Sequence, residues 1–258
     1  VKRAIVIGGA SGIGLATVDA LTADGVEVVV ADVDAERAER VAAERGDTVR
    51  ALGLDVTDED SVVAAFDAVG EFDTVVNCAG LSDPGALTEL ELSAWRHTVD
   101  VCLTGTFLVI KHAGRRIADG GSITCIASLN GRQPGAGMGS YCASKAGVLM
   151  LVEVAALELA HRGIRVNAVS PGLVSTPLTE GIGFVPGLTE EYIENTPLGR
   201  SGEPAEIADT VVFLASDKAR WITGAAFDVN GGAHLKRYPD VLGKARAMLE
   251  QAPPVLPE

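Results

Sequence analysis

The sequence predicts an α/β fold: a doubly wound parallel sheet of seven strands with helices on both faces. Three observations carry that expectation. Apolar, β-branched runs alternate with segments of helical period along the 258 residues. The runs are continuously apolar rather than alternating with polar residues, as strands buried on both faces must be. Hydrophobic residues make up 47% of the chain but aromatics only 4%, so small side chains fill the layers.

The elements follow in order. The first strand, residues 4–7, is Ala-Ile-Val-Ile and stops at Gly8. A helix at 13–23 leads to the valine-rich strand 26–31, and a helix at 35–44 to the strand 48–54. The helix 61–69 precedes the strand 74–77, and one long helix, 94–118, precedes the strand 122–127. A helix at 141–160 leads to the strand 164–169, and a helix at 204–215 to the last strand, 225–229. Right-handed crossovers between such units wind the sheet outward from its centre and place ligands at the carboxyl ends of the strands.

No internal repeat or linker divides the chain, so residues 1–258 are expected to form a single dinucleotide-binding and catalytic domain. One long interruption, 171–197, carries Pro171, Pro177, Pro186 and Pro197; segments of that length are usually functional, and a lid is expected at about 175–200. An extension, 233–258, contains a helical stretch at 241–249 and a proline-containing tail from 251 onward, expected to be extended or frayed.

Bulk properties exclude several function classes. The formal charge is 21 − 35 = −14, which opposes nucleic acid and anionic membranes. No apolar run reaches the roughly 18 residues of a membrane span. The segment before Gly8 is too short for a signal peptide and reads as an opening strand. Cys78, Cys102, Cys125 and Cys142 form no C-x-x-C pair and no His stands at ligand spacing, so free thiols in a reducing, cytoplasmic setting are expected and no metal site.

Gly8, Gly12 and Gly14, in Gly8-Gly9-Ala10-Ser11-Gly12-Ile13-Gly14, follow the first strand directly and open a helix. Glycine permits a sharp turn and close approach of a pyrophosphate, and the helix amino terminus offers unpaired N–H groups. Asp32 ends the second strand eighteen residues after Gly14. A carboxylate there accepts hydrogen bonds from ribose hydroxyls and repels a 2′-phosphate, and no arginine stands in the glycine loop, so NAD is expected rather than NADP.

Tyr141 and Lys145 stand four apart, on one face of a helix, with Ser128 thirteen positions upstream. A free phenol ionises near pH 10. An adjacent ammonium draws that value toward neutrality and makes tyrosine a usable general acid/base.

Together these segments resemble the classical short-chain dehydrogenase/reductase family over roughly residues 3–232. Its glycine loop is similar to residues 7–14, with Ile7 where threonine is usual. Its adenine-site Asp resembles Asp55, followed by Val56, and its Asn-Asn-Ala-Gly resembles Asn77-Cys78-Ala79-Gly80. Its Ser, Tyr and Lys fall on Ser128, Tyr141 and Lys145, its Pro-Gly motif on Pro171, Gly172 and Thr176, and its last strand and turn on Asp228-Val229-Asn230-Gly231-Gly232. The resemblance implies a Rossmann-type sheet and hydride transfer between NAD and a secondary alcohol or ketone. It further implies that Ser11, Ile13 and Val174 join the cofactor residues already named. Lys145 would bind the nicotinamide ribose, Thr176 the nicotinamide end, and Ser128 the substrate oxygen. It also implies a homotetramer built through the helices 94–118 and 141–160. His97, His112 and His161 are expected at the surface or an interface.

One departure bears on mechanism. Cys102 stands where the family has an asparagine linked to proton relay. The relay would then use backbone carbonyls and water around Cys102, or a neighbouring polar side chain, or turnover would be impaired and the chain would act as an NAD-binding regulator. The first is preferred, since Ser128, Tyr141 and Lys145 all remain. Expected pocket walls are Leu129, Met138, Leu178, Ile182, Phe184, Val185, Leu188, Tyr192 and Ile193, which favour a hydrophobic alicyclic, terpenoid or steroid-like alcohol. The alternative is a 3-oxoacyl thioester; the acidic lid opposes an acidic carrier, although Arg132, Arg200 and Lys236 offer a local basic patch. The pocket walls belong to the stretches 129–138 and 173–178 and to a lid over 179–195. The extension after Gly232 is expected to cross a subunit boundary and border a neighbour's pocket, or to form a plain surface helix.

Overall fold

The computed structural model describes residues 3–251. Seven strands, β1 (Arg3–Ile7), β2 (Glu27–Asp32), β3 (Val49–Gly53), β4 (Thr74–Asn77), β5 (Ser122–Ile126), β6 (Arg165–Pro171) and β7 (Ala226–Val229), form one sheet in the order β3-β2-β1-β4-β5-β6-β7. Every pairing is parallel. The chain winds outward from β1 to β3, then returns to lay β4 on the other side of β1. Connections therefore leave β1 and β4 in opposite directions, and a crevice opens at their carboxyl ends. This is the Rossmann-type arrangement the strand pattern implies.

Nine α-helices are described: α1 (Gly12–Ala23), α2 (Ala35–Arg45), α3 (Glu59–Val69), α4 (Leu92–Val99), α5 (Gly105–Arg116), α6 (Gly139–Leu159), α7 (Leu188–Glu194), α8 (Pro204–Ala215) and α9 (Val241–Gln251). Side chains alternate across each strand. In β1, Ile5 and Ile7 join Phe66 of α3, Val109 of α5 and Val148 of α6 on one face. Ala4 and Val6 join Val18 of α1, Val41 of α2 and Ile207 of α8 on the other. Both cores are apolar and mostly aliphatic, which explains why the strands read as unbroken apolar runs.

The structure revises several boundaries. The single helix expected at 94–118 is α4 and α5 joined by a π-helical turn, Asp100–Thr104. An inserted residue widens one turn without breaking the apolar pattern, so periodicity does not reveal it. β6 extends to Pro171, which pairs with Val229 and brings the Pro-Gly motif to the sheet end. The lid contains a 3₁₀ segment, Pro177–Phe184, followed by α7.

The extension packs on its own chain's lid. Lys244 and Arg237 reach Glu191 of α7 at 3.5 and 2.6 Å, and Arg246 reaches Glu89 at 3.0 Å. Within one chain the extension is thus tied by ion pairs to the lid and to Glu89. The tail beyond residue 251 lies outside the described residues. Among the described residues no helix is long and apolar enough to cross a membrane.

Candidate active site

The first turns of α6 carry Tyr141 and Lys145 on one face. The Lys145 Nζ stands 5.5 Å from the Tyr141 ring centre. Lys145 is 3% exposed, and its Nζ donates to the Ile126 carbonyl at 2.8 Å. A buried ammonium needs such a partner, and the end of β5 supplies it. Two residues further, Ser128 opens a 3₁₀ turn, Leu129–Gly131, in extended conformation. Its Oγ accepts the Asn130 N–H at 3.1 Å, which leaves the hydroxyl proton to point elsewhere as a donor.

Ser128 and Tyr141 stand where two cavities meet, each of about 460 Å³. The first is a groove over the switch point. Gly8, Ser11, Gly12, Ile13 and Gly14 line one end, and Asp32, Asp55 and Val56 the adjoining wall. Ala79, Gly80 and Lys145 form its middle, and Pro171, Gly172, Val174 and Thr176 the far side. Sixteen of the seventeen residues expected around a dinucleotide therefore line one surface.

The exception is Asn77. Its side chain is 2% exposed, donates to Thr106 Oγ1 at 3.0 Å and accepts the Ala79 N–H at 3.3 Å. At the end of β4 it points into the α5 layer, so it shapes the loop beneath the groove and is corrected from a lining to a supporting residue. His97, expected only at a surface or interface, lines the groove edge and bonds Asp83 at 2.8 Å.

The groove fits a dinucleotide on its own features. No side chain caps the first turn of α1, and that turn carries no acidic residue. Its N–H groups and the positive end of the helix dipole are therefore available to a phosphate. Gly12 has φ +51, and a Cβ there would meet Thr176 at 3.3 Å, so glycine keeps the strip between loop and Thr176 clear. The Asp32 carboxylate accepts the N–H groups of Ala10 and Asp34 at 3.0 and 3.1 Å. Those bonds lock it beside the loop, with further acceptor capacity on each oxygen.

Cys102 lies in the π-helical turn and is fully buried. Its Sγ donates to the Leu81 carbonyl at 3.2 Å and receives the Leu81 N–H at 3.4 Å. One thiol thus serves both polar groups of a residue beside the groove. All four cysteines are free. Burial pushes the thiols of Cys78 and Cys125 up to about 12, against the pull of Lys145, so both stay protonated.

The second cavity is walled by Leu129, Met138, Leu178, Ile182, Val185, Leu188 and Tyr192, as expected. Phe184 is 77% exposed on the outer side and does not line it, and neither does Ile193, because the 3₁₀ segment and α7 turn those positions away. Asn130 lines the cavity as part of the expected wall stretch 129–138, whereas sequence reasoning did not anticipate that the extension contributes Tyr238, Val241, Leu242 and Ala245 to this chain's own cavity. The aromatic and apolar residues following Gly232 were the available signal.

Glu191 fastens this cover. Its carboxylate is 9% exposed and meets Arg237 and Lys244, with the Asp240 N–H at 3.2 Å. Burial alone would raise its pKa, but the Asp240 N–H and the two cations outweigh that and hold it below the usual range. A depressed folded-state value contributes stability present above the unfolded value, about 4.3, and lost as pH falls through the folded one. Hydrogen exchange in α7 and α9 is accordingly expected to be steady above that pH and to rise on further acidification. In Glu191→Gln the acid-induced rise should be largely absent; an unchanged profile would remove Glu191 as the fastener.

The geometry has close counterparts. A solved structure of a short-chain type dehydrogenase/reductase from Mycobacterium ulcerans superposes with a TM-score of 0.91 at 36% identity, covering 96% of this chain and 94% of its own. This chain belongs to the short-chain dehydrogenase/reductase family. A family model described as enoyl-(acyl carrier protein) reductase matches residues 8–234 of this dehydrogenase. The 2,5-dichloro-2,5-cyclohexadiene-1,4-diol dehydrogenase of Sphingobium indicum is 39% identical over 244 residues, covering 90% of this chain and 95% of that protein. A 3-alpha-(or 20-beta)-hydroxysteroid dehydrogenase of Mycobacterium tuberculosis is 42% identical over 242 residues, covering 90% and 88%. The short-chain dehydrogenase is thus an oxidoreductase of small-molecule alcohols that works with a nicotinamide cofactor.

Proposed function

We propose that this short-chain dehydrogenase interconverts a hydrophobic, ring-borne secondary alcohol and its ketone with NAD, using Tyr141 as general acid/base. The observation that carries this reading is the position of Ser128 and Tyr141 at the junction of groove and cavity, with the Lys145 ammonium 5.5 Å from the Tyr141 ring. The bound dinucleotide supplies the hydride acceptor in oxidation and the donor in reduction. In oxidation the Tyr141 phenolate receives the hydroxyl proton, and the free Ser128 O–H donates to the same substrate oxygen. Lys145 sets its ammonium on the same face of α6 as the phenol. In reduction Tyr141 returns the proton to the forming alcohol. Position and fixed dipoles are what the chain contributes.

The glycine loop and α1 would hold the pyrophosphate, Asp32 the adenosine ribose, Asp55 and Val56 the adenine side, and Lys145 the second ribose. Thr176 and the backbone of Gly172 and Val174 would hold the nicotinamide end. No arginine lines the groove to receive a 2′-phosphate, which supports NAD. Asp32→Ala is expected to narrow the NAD-over-NADP ratio of kcat/KM by roughly tenfold, about 1.4 kcal/mol. An unchanged ratio removes Asp32 from cofactor choice.

A thioester substrate is the weaker reading. Arg132 is paired with Asp228 at 3.1 Å and Arg200 with Glu206, so the expected basic patch is largely neutralised. The regulator reading rested on Cys102, and the two-way contact of its thiol with Leu81 supports an intact site. For assembly, the exposed Phe107 of α5 and Met150, Val154 and Leu157 of α6 support a homotetramer through those helices. The reading is tested by following reduced cofactor during incubation with NAD and a panel of alicyclic, terpenoid and steroid alcohols beside 3-hydroxyacyl thioesters. Turnover confined to the thioesters would overturn it.

A further inference from the structure

The substrate cavity carries a second polar feature away from Ser128 and Tyr141. Tyr192 of α7 and Tyr238 of the extension meet with hydroxyls 2.8 Å apart, their rings edge to face at 5.7 Å and 82°. Tyr238 donates onward to Asn130 Oδ1 at 3.1 Å. The remaining polar side chains on that wall are engaged locally: Thr179 donates to the Val174 carbonyl, and Ser82 contacts the Met138 sulfur. No lysine or arginine lines this cavity.

The direction of this relay follows from proton counting. Asn130 Nδ2 donates to the Gln133 carbonyl at 3.2 Å, which fixes the carboxamide with its oxygen toward Tyr238. Burial raises the pKa of both phenols, so each keeps its single proton. The Tyr238 proton is given to Asn130. The proton between the two phenols must then come from Tyr192. The Tyr192 oxygen is left with lone pairs on the cavity wall and no donor directed at it among the described residues. Tyr192 is half-buried and its oxygen faces the cavity, so a ligand hydroxyl that donates there replaces water with a direct hydrogen bond.

We infer that Tyr192 is a specificity-determining acceptor, and that the preferred substrate is a diol whose second hydroxyl, remote from the reacting carbon, donates to it. A carbonyl at that position would face a lone pair with nothing to offer it. A carboxylate would in addition find no cation. Asn130 also holds Ser128 through its backbone N–H, so the two polar ends of the cavity are built on one short turn. The inference rests on the alcohol dehydrogenase reading above and deepens it.

The test uses the full chain with NAD and three ring alcohols: cyclohexanol, 1,4-cyclohexanediol and 4-hydroxycyclohexanone. The wild type is expected to show kcat/KM for the diol roughly tenfold above cyclohexanol, beyond the statistical gain of two equivalent hydroxyls, with most of the difference in KM. The hydroxyketone should be no better than cyclohexanol. Tyr192→Phe should collapse the diol-to-cyclohexanol ratio to its statistical value. Tyr238→Phe frees the Tyr192 proton to donate, so the hydroxyketone should gain on the diol, a reversal that loss of packing does not produce. Turnover of cyclohexanol with a diol ratio at the statistical value overturns the subsite while leaving the dehydrogenase reading intact. An unchanged ratio in Tyr192→Phe, or no hydroxyketone gain in Tyr238→Phe, also overturns the subsite. No oxidation of any of the three overturns the subsite, and the dehydrogenase reading falls with it only if the wider alcohol panel fails as well.

Discussion

Replacing Tyr141 with phenylalanine is expected to leave dinucleotide binding intact and to lower kcat by roughly 10²–10⁴-fold. The change deletes one oxygen and keeps the ring whose centre lies 5.5 Å from the Lys145 Nζ. Packing in the first turn of α6 is therefore preserved. What disappears is the group proposed to take the alcohol proton as hydride departs. Ser128 does not replace it, because its Oγ already accepts the Asn130 N–H and is left to act as a donor. The measurement is a pair: NAD affinity by titration and kcat with an alcohol the wild type oxidises. Activity near wild type refutes Tyr141 as the acid/base. Loss of affinity together with activity would mean that the phenol holds the cofactor rather than the proton.

The second large effect is structural. A methyl group at Gly14 would stand 2.0 Å from the Gly8 carbonyl oxygen and 3.0 Å from the Gly9 Cα. Both obstacles are backbone, so no side chain can swing aside. α1 would have to move away from the loop that feeds it, although Val18 and Leu21 of that helix are buried in the core. Gly14→Ala is expected to cost about 3 kcal/mol or more, a fall in Tm of roughly 6–12 °C. It should weaken NAD binding as well, since the same displacement spoils the uncapped helix end. A Tm within about 2 °C of wild type would show that the loop absorbs the methyl group.

Much of the cofactor groove was legible because its determinants are local. A glycine spacing, a strand-ending Asp32 and an i, i+4 pair at Tyr141 and Lys145 are each read within a few residues, and their order fixes the topology. Asn77 was misread for a reason of direction. Sequence places it at the end of β4 beside the groove, but strand alternation turns its side chain into the α5 layer, onto Thr106. Phe184 and Ile193 were misread similarly, since a 3₁₀ segment and a short helix rotate side chains by amounts that apolar content does not encode.

The alternation of apolar runs, the switch-point crevice and the candidates for the reacting residues came from the sequence by itself. Each depends on short-range chemistry: β-branched packing, glycine's missing side chain, an ammonium one turn from a phenol. The tertiary structure alone decided the polar wall of the second cavity and its closure by the extension. Tyr192, Tyr238 and Asn130 belong to three distant segments, and the pairing of Glu191 with Arg237 and Lys244 and of Arg246 with Glu89 holds the extension over the cavity. Hydrogen-bond direction and charge pairing between remote segments depend on where folding leaves them in space.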